Sequence, residues 1–180
     1  LHAKVTRPAD SDEPAPALFE FHGYRWQAPS HADSMRWAAL GFHVYSLDVR
    51  GQGGSSEDVG GASGPTDIGH ITRGLASGPE HLLFRQVFLD TVQLVQLAKS
   101  DPRIDPKRLA TIGGSQGGAL SLACAGLCPD ILRCVAEYPY LCDYQRVWEM
   151  DLCMEAYVDI RDYIRRTDPE HKRMDKLWHD

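Results

Sequence analysis

No stretch of this chain stays apolar for the roughly 20 residues that a membrane-spanning helix needs, and no signal-peptide pattern is visible at its start. Positive charge is in deficit: 19 Lys and Arg against 25 Asp and Glu leave a formal net charge of −6. That argues against a nucleic-acid surface and gives no reason to expect an anionic membrane partner. There is no C-x-x-C among Cys124, Cys128, Cys134, Cys142 and Cys153. An odd count without that motif reads as reduced thiols and a cytoplasmic setting, not a disulfide framework. Cys124 and Cys128 stand one helical turn apart, and we expect small buried hydrophobes there rather than metal ligands. Internal repeats and low-complexity tracts are missing too. What is present is an ordinary globular balance, 43% hydrophobic and 24% charged over 180 residues, enough for one domain with a real core.

The chain reads as alternating strands and helices. His2–Thr6 is a short strand closed by Arg7-Pro8, Asp10–Pro16 a turn, and Ala17–Phe21 a buried strand ending at His22-Gly23-Tyr24. Ser30 caps a helix from about His31 to Leu40, Gly41 ends it, and Phe42–Val49 is the next strand. This strand-helix-strand unit marks a parallel sheet, whose apolar runs imply burial on both faces. Arg50–Gly78 is a long Gly/Ser-rich loop without period, the kind that serves function or an interface. Pro79-Glu80 opens the longest helix, to about Lys99, with Phe84, Phe88, Val92 and Val95 on one face and Gln86, Asp90, Gln93 and Gln96 on another. Asp105-Pro106 turns the chain into Leu109–Ile112. Leu132–Ala136 is a further strand. From Leu141 the chain is mostly helical: to about Met150, from Ala156 to Arg166, and from Asp168-Pro169 to Trp178.

Gly113-Gly114-Ser115-Gln116-Gly117-Gly118 organises the rest. An apolar strand leads in, and the small-residue run Ala119–Ala125 follows as a helix. This is the strand-turn-helix setting of a G-x-S-x-G nucleophile elbow. Ser115 must take a strained backbone so that its hydroxyl stands clear of the sheet. Side chains at Gly113 or Gly117 would collide across so tight a turn. The helix N-terminus suits a developing oxyanion. One oxyanion donor is the backbone N–H of Gln116. The second comes from the loop after an early strand, where the N–H of Tyr24 is the natural group. His22 is read as a packed histidine holding that loop. Arg50 is read as structural, paired with a buried carboxylate or carbonyls.

A serine nucleophile needs a base and an orienting acid, which on this fold follow in the order Ser, Asp or Glu, His. Only His171 and His179 follow Ser115, in a charged tail holding Arg165, Arg166, Lys172, Arg173 and Lys176. We read both as surface residues, and Asp162, Asp168 and Asp175 as helix-face or capping groups. The triad acid and histidine are therefore expected outside this chain. The fold expected for residues 1–180 is α/β, a truncated α/β-hydrolase domain: a central, mostly parallel sheet with helices on both faces and the elbow at Ser115. It lacks N-terminal strands and the C-terminal part, with strands missing from the far side of the elbow strand.

Five motifs agree in order and spacing: Phe21-His22-Gly23-Tyr24, Arg50-Gly51-Gln52, Gly69-His70-Ile71-Thr72-Arg73-Gly74, Gly113–Gly118, and Tyr138-Pro139-Tyr140-Leu141. Together they resemble the acetyl xylan esterase / cephalosporin-C deacetylase family (carbohydrate esterase family 7) over almost the whole chain. The resemblance implies a serine esterase that deacetylates short acetylated xylo-oligosaccharides and acetylated cephalosporins through an acetyl-serine intermediate. It implies no metal and no organic cofactor, a cytoplasmic setting, and a homo-oligomer, commonly a hexamer, with the Gln52–Gly78 loop at subunit contacts. The family's H-E signature and the aspartate before it are missing. Trp26-Gln27 stands where the family carries small residues, which implies a narrowed acyl pocket or an altered loop. Two alternatives remain: another serine hydrolase of this fold, such as a prolyl-peptidase-like enzyme, and a catalytically silent binding protein. On this reading the 180 residues alone are not a competent esterase.

Overall fold

The computed structural model describes residues 1–9, 13–58, 70–154, 157–174 and 178. Two compact units emerge, one from Leu1–Thr66 with Val87–Tyr140, the other from Asp67–Gln86 with Leu141–Asp180.

The first unit is a five-stranded sheet. Its strands are β1 (His2–Thr6), β2 (Ala15–Phe21), β3 (His43–Asp48), β4 (Ile104–Gly114) and β5 (Ile131–Glu137), in the order β1-β3-β2-β4-β5. β1 runs antiparallel to β3, and the other neighbours are parallel. β2 and β4 are central, and Phe21 pairs with Gly113, so the ends of the His22 loop strand and the elbow strand lie side by side. Ala17, Phe19, Val44, Leu47 and Leu109 are fully or almost fully buried.

Between the strands run α1 (His31–Ala38), α2 (Leu83–Lys99) and α3 (Gln116–Leu127). Ser30 caps α1 in a capping box with Asp33, and Gly41 ends it at φ +91°. α3 packs on β2, β4 and β5. The Cys124 thiol meets Thr91 of α2, and burial pushes that thiol up to about 12. Cys124 and Cys128 are buried and free, as expected.

Several expectations need correction. Pro16 is not in a turn but inside β2. It sits where the register to β4 slips, between Ala15 and Ala17, so its missing N–H interrupts no ladder. Asp105-Pro106 likewise lies within β4, on an unpaired exposed stretch between Ile104 and Leu109, where Asp105 accepts from the Lys107 N–H at 2.9 Å. The elbow strand does have a neighbour on its far side: β5 pairs with it, and the open sheet edge falls at β5. Nor is burial uniform. β3 is buried throughout, whereas Leu132 and Val135 of β5 are about half exposed.

In α2 the buried face is Leu83, Phe84, Val87, Asp90, Thr91, Leu94, Val95 and Ala98, not the face predicted through Phe88 and Val92. Asp90 was expected on the polar face. It is buried because Arg50 reaches it.

The second unit carries 3₁₀ turns at His70–Thr72, Leu75–Ser77 and Pro79–His81, within the segments read from sequence as a periodless loop and as the opening of a long helix. It also holds α4 (Tyr144–Glu149) and α5 (Val158–Thr167), and α5 packs on the first of those turns. The predicted helix through Trp178 is not seen over residues 168–173, which form turns and bends. There the Asp168 carboxylate accepts from the backbone N–H groups of Lys172 and Arg173. Residues 59–69 of the predicted interface loop, Gly69, Asp175, Lys176 and His179 lie outside the described residues.

Candidate active site

β4 ends at Gly114, α3 begins at Gln116, and Ser115 between them holds φ 55° and ψ −123°. That is a region which non-glycine residues occupy only when the surroundings over-determine it, at a cost of roughly 1–3 kcal/mol. Three backbone bonds supply the constraint: Ser115 N–H donates to Glu137 O at 3.0 Å, and Ser115 O accepts from Tyr140 N–H at 2.9 Å and from Ala119 N–H of α3 at 3.2 Å. The segment leaving β5 thus grips the nucleophile's peptide groups on both sides.

The flanking glycines are required by space. A Cβ at Gly113 would lie 2.4 Å from the Gly117 carbonyl, and one at Gly117 would lie 2.0 Å from Phe21 O. The expected collisions are therefore present, and Gly117 additionally lets α3 approach the end of β2. Among the described residues no histidine is hydrogen-bonded to Ser115. His171 is exposed, at φ 53°, with its ring edge-on to Trp148 at 5.3 Å. Asp162 is exposed beside Arg161.

The loop bearing Tyr24 starts at the end of β2. His22 is buried, accepts from Val49 N–H on Nε2 at 3.0 Å and donates from Nδ1 to Gly23 O at 2.8 Å. Both bonds require the neutral Nδ1–H tautomer. Burial lowers the His22 pKa despite the opposing pull of the Gly23 carbonyl. It is the packed, loop-holding histidine that was expected. Tyr24 packs its ring against Tyr140 at 5.7 Å. Trp26 is 74% exposed.

The Arg50-Gly51-Gln52 loop is stitched to this one. Gly53 N–H donates to Trp26 O at 3.0 Å. Asp48, buried at the end of β3, accepts from Ala28 N–H at 2.7 Å, from Ser55 N–H at 3.0 Å and from His2 Nδ1 at 2.5 Å. Burial raises the Asp48 pKa, but these donors outweigh it and hold the carboxyl below its ordinary value. Arg50 clamps Asp90 with two bonds, 2.6 and 2.7 Å, the buried carboxylate that its structural reading called for.

Sequence reasoning missed the side chains of Gln52 and Gln116. Both are fully buried and face each other as reciprocal amides. Gln52 Nε2 donates to Gln116 Oε1 at 2.8 Å, and Gln116 Nε2 donates to Gln52 Oε1 at 3.1 Å. The available signal was an amide next to glycine in two separate motifs. The Glu137–Tyr140 grip on Ser115 was also not foreseen.

A mostly parallel sheet whose elbow strand abuts the strand carrying a histidine-glycine loop, with a strained serine at the head of α3, defines the α/β-hydrolase fold. The model of one family, acetyl xylan esterase (AXE1), matches residues 1–179, and the chain belongs to that family. It is 40% identical over 75 residues to the acetyl esterase Axe7A of Xylanibacter ruminicola, covering 42% of this chain and 17% of that protein. Acetyl xylan esterase 1 from a Thermoanaerobacterium species superposes with a TM-score of 0.91 at 47% identity, over 98% of this chain and 55% of that one. The acetyl xylan esterase from Paenibacillus sp. R4 superposes with a TM-score of 0.89 at 32% identity, over 98% and 56%. The chain thus spans about half the length of these solved relatives and less of the curated one.

Proposed function

We propose that the protein to which this chain belongs is a serine esterase that removes acetyl groups from small acetylated carbohydrates. The observation that carries this reading is the strained, doubly gripped Ser115 between Gly113 and Gly117. Ser115 Oγ attacks the acetyl carbonyl carbon while its proton passes to a histidine base. The negative oxygen of the tetrahedral intermediate accepts from the N–H groups of Gln116 and Tyr24. Collapse expels the sugar alkoxide, which takes the proton from that histidine. Water then cleaves acetyl-Ser115 by the same route and releases acetate. His22 stays outside the proton path, because both its nitrogens are committed to holding the loop.

Within this class we infer acetylated xylo-oligosaccharides and cephalosporin-type acetyl esters as substrates, in a cytoplasmic homo-oligomer without a cofactor. Family membership supports the acetyl-ester class. The finer choices rest on the resemblance of the five motifs. The test is Ser115→Ala in the full-length protein, assayed on 4-nitrophenyl acetate, an acetylated xylo-oligosaccharide and cephalosporin C. Turnover should fall by at least about a hundredfold with an unchanged circular dichroism spectrum, since a triad nucleophile is worth more than that. Smaller losses on all three substrates would overturn the assignment.

A further inference from the structure

We propose that the Gln52–Gln116 amide pair is a positioning device that fixes the distance between the two oxyanion donors, tying the Tyr24 loop to the elbow. The inference rests on the functional reading above. Gln116 is the residue whose own backbone N–H serves as one donor, and its side chain runs into a fully buried site. There it meets Gln52, and Gln116 Nε2 also reaches His22 O at 3.4 Å. Gln52 Oε1 accepts a second bond, from the backbone N–H of Arg25 at 2.9 Å. Arg25 directly follows Tyr24, whose N–H is the other donor, and holds φ +66°. One amide pair therefore grips the backbone beside each donor.

The partners come from two loops and the first residue of α3, with Gln52 and Gln116 64 residues apart. No strand ladder spans this junction, because β2 and β4 have both ended by Phe21 and Gly114. Two buried amides that satisfy each other, with Arg25 N–H and His22 O fixing which end of each is which, have one low-energy arrangement, whereas apolar side chains could slide. Such a link suits a site where donors must be aimed at an oxygen before it becomes charged. A misplacement of about 1 Å can cost on the order of a hundredfold in rate.

The experiment uses the full-length protein with Gln52→Met, Gln116→Met and the double variant. Read out are kcat and KM on 4-nitrophenyl acetate, the second-order rate of Ser115 labelling by a fluorophosphonate, and the melting temperature. Each single variant should lose about 10- to 100-fold in kcat with KM within about threefold of wild type. Labelling should slow in parallel, because the phosphoryl oxygen uses the same donors. The double variant should be no slower than the worse single one, since the link is already broken. Folded single variants with kcat and labelling within about threefold of wild type would overturn the proposal, as would losses that multiply in the double variant.

If a single variant fails to fold because one amide is left facing an apolar group, the double variant decides. It leaves neither amide facing its apolar replacement. Folded and slow supports the positioning role; folded and fully active overturns it. Labelling is independent of the substrate class, so a wild type inactive on every acetyl ester would sink the functional reading while still testing the pair.

Discussion

A methyl group at Gly117 would fall on the Phe21 carbonyl, an immovable backbone atom, at 2.0 Å. A methyl at Gly126, in the last turn of α3, would meet nothing within 4 Å. The two glycines look alike in sequence and differ in what surrounds them. Gly117→Ala should therefore destabilise by about 2–3 kcal/mol, the range of overpacking with a backbone shift, and slow acetyl-ester turnover. Gly126→Ala should be neutral or stabilising by up to about 1 kcal/mol, because alanine loses less backbone entropy in a helix. Urea denaturation of the two variants checks both signs, and equal midpoints would contradict the packing argument.

Two buried histidines give the residue scale a pH dependence. Burial lowers the pKa of His22 and of His43, which also has an Nδ1 without a hydrogen-bond partner. The unfolded chain takes up these protons near pH 6.5, and the folded chain does so only at lower pH. Stability should therefore fall as pH drops from about 6.5 toward 5, by at most roughly 1.4 kcal/mol per pH unit for each group. Asp48 acts elsewhere: its pKa is held down, so its contribution is lost only below the ordinary carboxylate value, near pH 4. His43→Leu should flatten the slope between pH 6.5 and 5 and raise stability at pH 5.5. A slope unchanged by the substitution would assign the effect to other groups.

At the scale of elements, the Arg50–Asp90 clamp joins the end of β3 to α2. Asp90 is 1% exposed, so replacing Arg50 takes the clamping cation and its two bonds away from a buried carboxylate. Arg50→Ala should cost about 3–5 kcal/mol in urea denaturation. Arg50→Lys should recover little of it, because an ammonium cannot make the two parallel bonds. Recovery of most of the loss would show that charge alone matters.

This pair also shows where the sequence was legible and where it was not. The elbow, the capped α1 and the buried β2 and β3 could be read because their signals are local: glycine spacing, a capping box, apolar runs. Asp90 was misplaced because a 3.6-residue period sorts apolar from polar residues and is blind to a cation arriving from 40 residues away. The amide pair was hidden for the same reason, at longer range. Pro16 was read as a turn residue because a proline's effect in a strand depends on whether the neighbouring ladder needs its N–H. The exposure of β5 depends on what lies beside it, which its own residues do not encode.

For the whole molecule, the open edge at β5 has a direct consequence. Leu132 and Val135 are about half exposed there, and the strand's outer backbone groups face no further strand among the described residues. The 180-residue chain alone should self-associate at micromolar concentration in light scattering, and Val135→Lys should reduce that by charging the edge. It should also take up fluorophosphonate at Ser115 weakly or not at all, since no described histidine is hydrogen-bonded to the nucleophile. Stoichiometric labelling seen by intact mass would mean that the chain carries its own base, and His171 would be the first residue to replace.

The grip on Ser115 by Glu137 and Tyr140 also sets an order in time. During synthesis from the N-terminus, β4 and the start of α3 emerge before β5 exists. Until residue 140 has arrived and β5 has paired, two of the three backbone bonds that hold the serine at its unfavourable dihedral angles are missing, and only the Ala119 N–H of the elbow helix restrains it. The nucleophile is thus shaped by residues made after it. A nascent chain stalled short of Tyr140 would carry the complete G-x-S-x-G sequence as a flexible, chemically quiet loop, and reactivity would switch on only as the next strand closes over it.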